Sequence, residues 1–438
     1  MTGRRRSALD DRGPAVDLFD DPPWDSRTDR PRTPLAWIRH LAFVLFVAAV
    51  CLVGLVAVGG VISIMSLITN FKLGLGPIGP LIDSPSSYGM DIVLSADGSR
   101  AFVTEPTADR LVVVDTATGA TLADVAVGAT PSGLALSPDG SQVWVVDTGL
   151  SPSSSSASVT VVSTATDTVV GTVTTNDFGP IDVAFSPYGR WAYVTDNGIL
   201  GPGSVSVVDT STLTVVGTLS PSVPASSGTP PWNPTSVAVT PDGSEVWISE
   251  VSDNDGLTAT TTAGVVDVFD ATTSTQMATI PVGGDPYFMV LSHDGRDAYV
   301  ADKGSCDIKE IDTTTFEVVA TVAWPLSPGC PFGLAAGPDD NVVYAVTGND
   351  QTFDEEHAGN SFGSVDFARS TVTVSGRVGF DPVTLALSPD GATAYVVDAD
   401  RPSIDLVDTA TGAVTSTLSL PTVPSVATTT TAATVPSI

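Results

Sequence analysis

The chain has 438 residues, with 18 Lys and Arg against 49 Asp and Glu, a net charge of −31, and three cysteines. Phosphate recognition needs clustered cations, so this balance speaks against a nucleic-acid partner. Three cysteines exclude a disulfide-dense scaffold and a cysteine-rich zinc site.

The charge is unevenly placed. Before residue 41 there are 8 Arg and 7 Asp, close to +1; from Asn70 onward 10 Lys and Arg face 42 Asp and Glu, or −32. Residues 1–36 are rich in Arg, Asp and Pro and cannot bury a core, which predicts a disordered cytoplasmic tail. Phe19–Trp24 is the one stretch of it that could dock to something. Residues 37–69 read as a transmembrane helix. Their apolar centre, Leu41–Ile68, is 28 residues with no ionisable side chain except Cys51. That exceeds the roughly 20 residues a bilayer-crossing helix needs. Arg30, Arg32 and Arg39 precede the run and only Lys72 follows, so the positive-inside rule puts the tail in the cytoplasm and residues 70–438 outside. The lack of an A-x-A site favours a retained anchor over a cleaved signal peptide. Residues 70–88, with Gly74, Gly76, Pro77, Gly79, Pro80 and Pro85, form a linker.

From residue 89 one unit repeats. Its turn stands at Ala96-Asp97-Gly98, Pro138-Asp139-Gly140, Pro187-Tyr188-Gly189, Pro241-Asp242-Gly243, His293-Asp294-Gly295, Pro338-Asp339-Asp340 and Pro389-Asp390-Gly391, spaced 42 to 54 residues apart. An alternating apolar strand precedes each turn. A second follows it, as in Tyr193–Asp196 and Tyr395–Asp398; a third runs as in Val205–Asp209, and a fourth as in Thr121–Val127. β-Branched and aromatic runs bounded by Gly, Pro and Asp turns are the strand signal, and no helical period competes. Four strands per unit and seven units predict an all-β, seven-bladed β-propeller ectodomain over 89–420, preceded by one transmembrane α-helix. No permuted strand is evident to fasten the first blade to the last; Ile78–Ile82 beside Val414–Leu420 is the candidate. Residues 421–438, rich in Thr, Ala and Pro, read as a disordered tail.

The unit P-x-x-[VL]-A-[VLF]-S-P-D-G-x-x-x-Y-V-x-[ND], followed by V-x-V-[VI]-D-T-x-T and a valine-rich strand, resembles the YVTN-type β-propeller repeat over residues 89–420. The resemblance implies a secreted or surface protein. It does not imply one activity, because related propellers include surface-layer proteins, lactonase-like enzymes and lyases. This chain departs from the pattern in ending its second strands with Asp or Glu instead of Asn. Its sixth copy has Asp340 for Gly and Thr347 at the strand end.

Propeller topology puts the short a–b and c–d turns on one face and the b–c and d–a connections on the other. Every long insertion joins the second kind: Thr148–Ser158, Asn197–Ser204, Ser220–Pro234, Val251–Gly264 and Gly348–Gly363. Function is expected on that face. Its candidate binding residues are the strand-end acids Asp196, Glu250, Asp302 and Asp398, with Glu105 and Asp147 beside them, and the aromatics Trp232 and Trp324, with Tyr287, Phe332 and Phe380. The acids read either as caps of their own loops or as an acidic rim for a cation or basic partner. Asp350, Asp354, Glu355, Glu356 and His357 crowd one loop as candidate ligands of Ca2+ or another divalent cation; no other cofactor is expected. Asp253-Asn254-Asp255-Gly256 is an incomplete calcium loop. Gly359-Asn360-Ser361-Phe362-Gly363 matches G-x-S-x-G but lacks a helix to make a nucleophile elbow. Cys306 and Cys330, on the same face of one blade, are expected to form a disulfide.

The function these readings support is a single-pass, cell-surface binding module whose loop face takes an envelope protein, a peptide or a glycan. The alternatives are a propeller-type enzyme (a metal-dependent hydrolase, lactonase or lyase) and a structural spacer of the cell surface. The residues favour the non-enzymatic readings, since only two histidines fall in 70–438 and on opposite faces.

Overall fold

The computed structural model describes residues 90–149, 157–175, 179–197, 203–221, 232–252, 264–325, 329–348, 360–399 and 401–421. The tail, the apolar run of 41–68, the linker and Ile78–Ile82 lie outside the described residues, and so does the acidic loop of 350–357. Among the described residues there are twenty-eight strands in seven four-stranded antiparallel sheets, each built from consecutive strands. A 3-10 turn at Pro106–Ala108 is the one helical piece among them.

Each sheet is one blade, with strands a to d running from the axis outward. Blade three shows the pattern: Pro180–Phe185, Trp191–Asp196, Ser204–Asp209 and Thr214–Leu219. Strand b of that blade is buried on both faces, whereas strand d is mostly exposed. That gradient explains the composition: WAYVTD is apolar through its first four residues, while TVVGTL carries threonine and glycine. The buried side chains fall into seven clusters, and each cluster draws on two neighbouring blades. Trp144 and Val161 of blade two, for instance, pack with Ala192 and Val194 of blade three.

The inner strands are Ile92–Leu94, Pro131–Leu136, Pro180–Phe185, Trp232–Val239, Pro286–Leu291, Gly333–Ala336 and Pro382–Leu387. Each touches the next, and the seventh touches the first, so the ring closes. Among the described residues no strand is exchanged between the first and last blades. Closure rests on side chains. Met90, Ile92, Val112 and Val114 pack against Val383, Tyr395, Val397 and Leu420. The Thr384 hydroxyl donates to Asp91 at 3.1 Å, and the Arg110 guanidinium donates to the Pro421 carbonyl.

The PDG turns form a second ring of contacts. In the first, Asp97 accepts from Ser95 Oγ and from the Ser99 N–H, and Gly98 takes φ +70°, where a side chain is strained. These bonds to the anion hold the Asp97 pKa down to about 2. Five turn glycines also abut the turn proline of the blade before, whereas Gly140, which follows the Ala96 turn of blade one, meets nothing within 4 Å. A Cβ would lie 2.7 Å from Pro389 at Gly98, 3.1 Å from Pro187 at Gly243 and 2.7 Å from Pro241 at Gly295. Blade six breaks the pattern with Asp340, and blade five, its neighbour, is where His293 replaces the proline. The two departures meet: the His293 N–H donates to Asp340 Oδ1 at 2.8 Å, and the ring stands 3.9 Å from the same oxygen. One hydrogen-bonded pair therefore replaces one Pro–Gly contact.

Asp340→Gly and His293→Pro should each destabilise the protein by about 1 kcal/mol, through loss of that bond. The double variant restores the Pro–Gly contact found at five other junctions and should recover stability. A double-mutant cycle by denaturant unfolding measures it, and additive losses would refute the pairing.

Candidate functional site

The six strand-end acids do stand at the loop face, but they are enclosed. Glu105 is 3% exposed, Asp398 1%, and Asp147, Asp196, Glu250 and Asp302 are fully buried. Instead of an open rim they form a set of internal clamps. In five blades a proline pairs with the acid across a β-bulge: Pro131 with Asp147, Pro180 with Asp196, Pro234 with Glu250, Pro286 with Asp302 and Pro382 with Asp398. In three of these blades the incoming d–a link lies against the same carboxylate. Gly128, Gly283 and Gly379 sit so close to Asp147, Asp302 and Asp398 that any Cβ would collide with the carboxyl. The recurring V-G-x-[TD]-P at 127–131, 282–286 and 378–382 is thus the other half of the strand-end acid.

Each clamp is satisfied differently. Asp398 accepts from the N–H groups of Phe380 at 2.7 Å, Asp381 at 3.1 Å and Arg401 at 3.4 Å, joining its own b–c loop to the link before it. Asp147 accepts from Thr160 Oγ1 at 2.7 Å and Ser158 Oγ at 3.1 Å. Asp196 accepts from Ser206 Oγ at 2.7 Å. Asp302 accepts from Lys309 Nζ at 3.0 Å, and Glu105 from Arg110 Nε at 2.7 Å. Burial pushes the Asp147 pKa up to about 6, and it raises Asp302 and Glu105 despite their cationic partners. Glu250 departs from the set: neither carboxyl oxygen has a hydrogen-bond partner. Burial and the nearby Asp267 hold it well above the usual carboxylate range.

The other candidates scatter. Trp232 opens strand a of blade four, paired with Ser252. Trp324 is 3% exposed and packs in the core between blades five and six with Cys306 and Val343, so it is enclosed like the acids. Cys306 and Cys330 are joined in a disulfide, with Cα atoms 4.8 Å apart. Ser361 opens strand c of blade six, is 1% exposed, and shares a hydrogen bond with Thr347 Oγ1 at 2.9 Å. It is a ladder residue and no nucleophile elbow.

Among the described residues, the loop face exposes two aromatic sites with cationic neighbours. Phe380 is 49% exposed, and the Arg401 guanidinium stacks 3.5 Å from its ring centroid. Tyr287, 37% exposed, lies 5.2 Å from the Phe332 ring, and Lys303 Nζ is 5.6 Å above that ring.

The axis carries two further carboxyls. Register aligns Asp91, Gly133, Asp182, Ser236, Phe288, Gly333 and Thr384 as one ring: the last four pair with strand b directly, and the first three stand just before the paired Ile92, Leu134 and Val183. Asp91 accepts from the Leu134 N–H of the next blade at 3.0 Å, and Asp182 from the Val237 N–H at 3.0 Å. Both are half-buried within the ring of inner strands. Burial first, then Asp182, pushes the Asp91 pKa up to about 7; burial also raises Asp182. Sequence reasoning passed over both residues. The signal was an acid at the head of the apolar run of strand a in two copies, where the others carry Gly, Ser, Thr or Phe.

No family model matches the chain, and no curated protein matches it. Among solved structures, a chain of Kuenenia stuttgartiensis hydrazine synthase is similar, with a TM-score of 0.60 and 20% identity over 76% of this chain and 99% of that one. At that identity the likeness shows the propeller fold alone.

Two measurements check these electrostatics and the disulfide. Asp91 titrates near 7 in the folded protein against an ordinary 3.8. Its stabilising contribution is therefore complete below about pH 4 and is lost as pH rises through 7. Asp147 and Asp267, each raised to about 6, act in the same direction. The melting temperature should fall from pH 5 to pH 8, with a shallower slope in Asp91→Asn; equal slopes would assign the dependence elsewhere. Reduction of Cys306–Cys330, which closes a sequence separation of 24 residues, should cost about 3 kcal/mol by denaturant unfolding.

Proposed function

We propose that the protein is a membrane-anchored, extracytoplasmic propeller of the YVTN type that binds an envelope protein, a peptide or a glycan through its b–c/d–a face. The observation that carries this reading is the pairing of Arg401 with the exposed Phe380 ring at the foot of a clamped d–a link. Aromatic rings and Arg concentrate at binding hot spots, and here the backbone beneath them is fixed by Asp398. A rigid platform lowers the ordering cost of binding. The outside placement is supported by the Arg-flanked apolar run and by a disulfide, which persists in oxidising compartments. In this reading the divalent cation expected at Asp350, Asp354, Glu355, Glu356 and His357 would order a loop of the same face.

A second reading, catalysis, has one observation in its favour. Asp91, its pKa pushed up to about 7 by burial and by the charge of Asp182, has the proton affinity of a general acid or base at neutral pH.

The test is cross-linking and capture from whole cell envelopes with the full-length protein and with Phe380→Ala/Arg401→Ala. The double variant should weaken capture of the partner by about thirtyfold or more, the scale of a hot-spot loss. An unchanged partner set would remove this patch from the account. Loss of turnover on a screened lactone or ester in Asp91→Asn, with capture intact, would favour the enzyme.

A further inference from the structure

The seven blades permit an internal comparison. Two residues beyond the partner of the strand-end acid, strand c carries a side chain on the same face of the sheet. In blade two that position is Thr160, in blade three Ser206 and in blade five Lys309, and each reaches the acid: 2.7 Å to Asp147, 2.7 Å to Asp196 and 3.0 Å to Asp302. In blade seven it is Asp405, so two carboxyls meet. There the backbone resolves the conflict: Gly379 N–H donates to Asp405, while Phe380 and Asp381 N–H donate to Asp398.

Blade four carries the same clash without that remedy. Glu250 pairs with Val265 and Ile248 with Asp267, so Glu250 and Asp267 occupy the same diagonal. Asp267 is 2% exposed and accepts from Thr279 Oγ1 at 2.5 Å. Glu250 is fully buried, and both its oxygens are without a partner. A buried carboxyl without a donor is costly, and a second carboxyl beside it adds to that cost. Lys309 shows what the position accepts: in blade five a positive charge sits there, held by Asp302 and also by Asp307.

We propose that Glu250 and Asp267 bind a hard divalent cation inside blade four, at the position the Lys309 ammonium takes in blade five. Two carboxylates balance a double positive charge. An all-oxygen donor set suits Ca2+, Mg2+ or Mn2+ and lacks the nitrogen and sulfur ligands that select zinc. This site is separate from the Phe380–Arg401 patch and stands whether or not that patch binds a partner.

The test uses the full-length protein in detergent, stripped with a chelator and titrated with Ca2+, Mg2+ and Mn2+ up to about 10 mM, ten times the dissociation constant of the weakest extracellular calcium modules. Thermal unfolding and direct calcium binding are read together. The expected result is a melting temperature that rises with one of these ions, and a bound stoichiometry reduced by one per chain in Glu250→Gln. Asp267→Lys copies blade five: it should fold, match or exceed the cation-bound wild type in stability, and lose the response. Changing Glu355 and Glu356 to Gln together removes loop carboxylates and should leave this response in place. No response to any of the three ions, or a response retained in Glu250→Gln and Asp267→Lys, would overturn the proposal and leave a shared proton as the occupant.

Discussion

No blade of this protein has a core of its own. A four-stranded sheet buries one face only by lying against the next sheet, and the last blade has nothing to lie against except the first. All else follows from that constraint. The buried clusters each span a junction, five turn glycines seat the preceding proline, and the inner strands touch around the axis. With no exchanged strand among the described residues, the first and last blades are held by the same kind of contacts as the others, with Thr384–Asp91 and Arg110–Pro421 added.

The constraint also decides what the acids do. A link that carries the chain from the outer strand of one blade to the inner strand of the next must cross the loop face, and its backbone N–H groups need acceptors there. In blade seven the carboxylate at the end of strand b supplies them: Asp398 accepts from Phe380 and Asp381. Much of the strong negative charge is accordingly internal wiring or turn chemistry. The turn aspartates are held low by hydroxyl and N–H donors, whereas the enclosed ones are raised by burial. One residue type thus titrates at two ends of the scale within a single repeat.

The fold was largely legible from residues 89–420, because each turn and each strand is a local pattern recurring at a steady interval. The candidate site was less so. Asp398 and Trp324 could be placed on the loop face, but whether they point outward or inward depends on the neighbouring blade, which periodicity does not describe. His293 and Asp340 read as two unrelated lapses from the repeat, and only adjacency across a junction makes them one contact. Asp91 and Asp182 do not stand out in the sequence, since an acid at the head of a strand is ordinary until seven inner strands bring two of them to one axis.

The sequence by itself determined the number of blades, the order of strands and the face on which the insertions lie. These depend on patterns within a single unit: alternation, turn chemistry and loop length. The tertiary structure alone decided which carboxyls are clamped, which are exposed to solvent, and where one of them, Glu250, meets another acid without a donor. Burial and partner are properties of the junction between two blades, and a junction joins residues some fifty positions apart that no local pattern links.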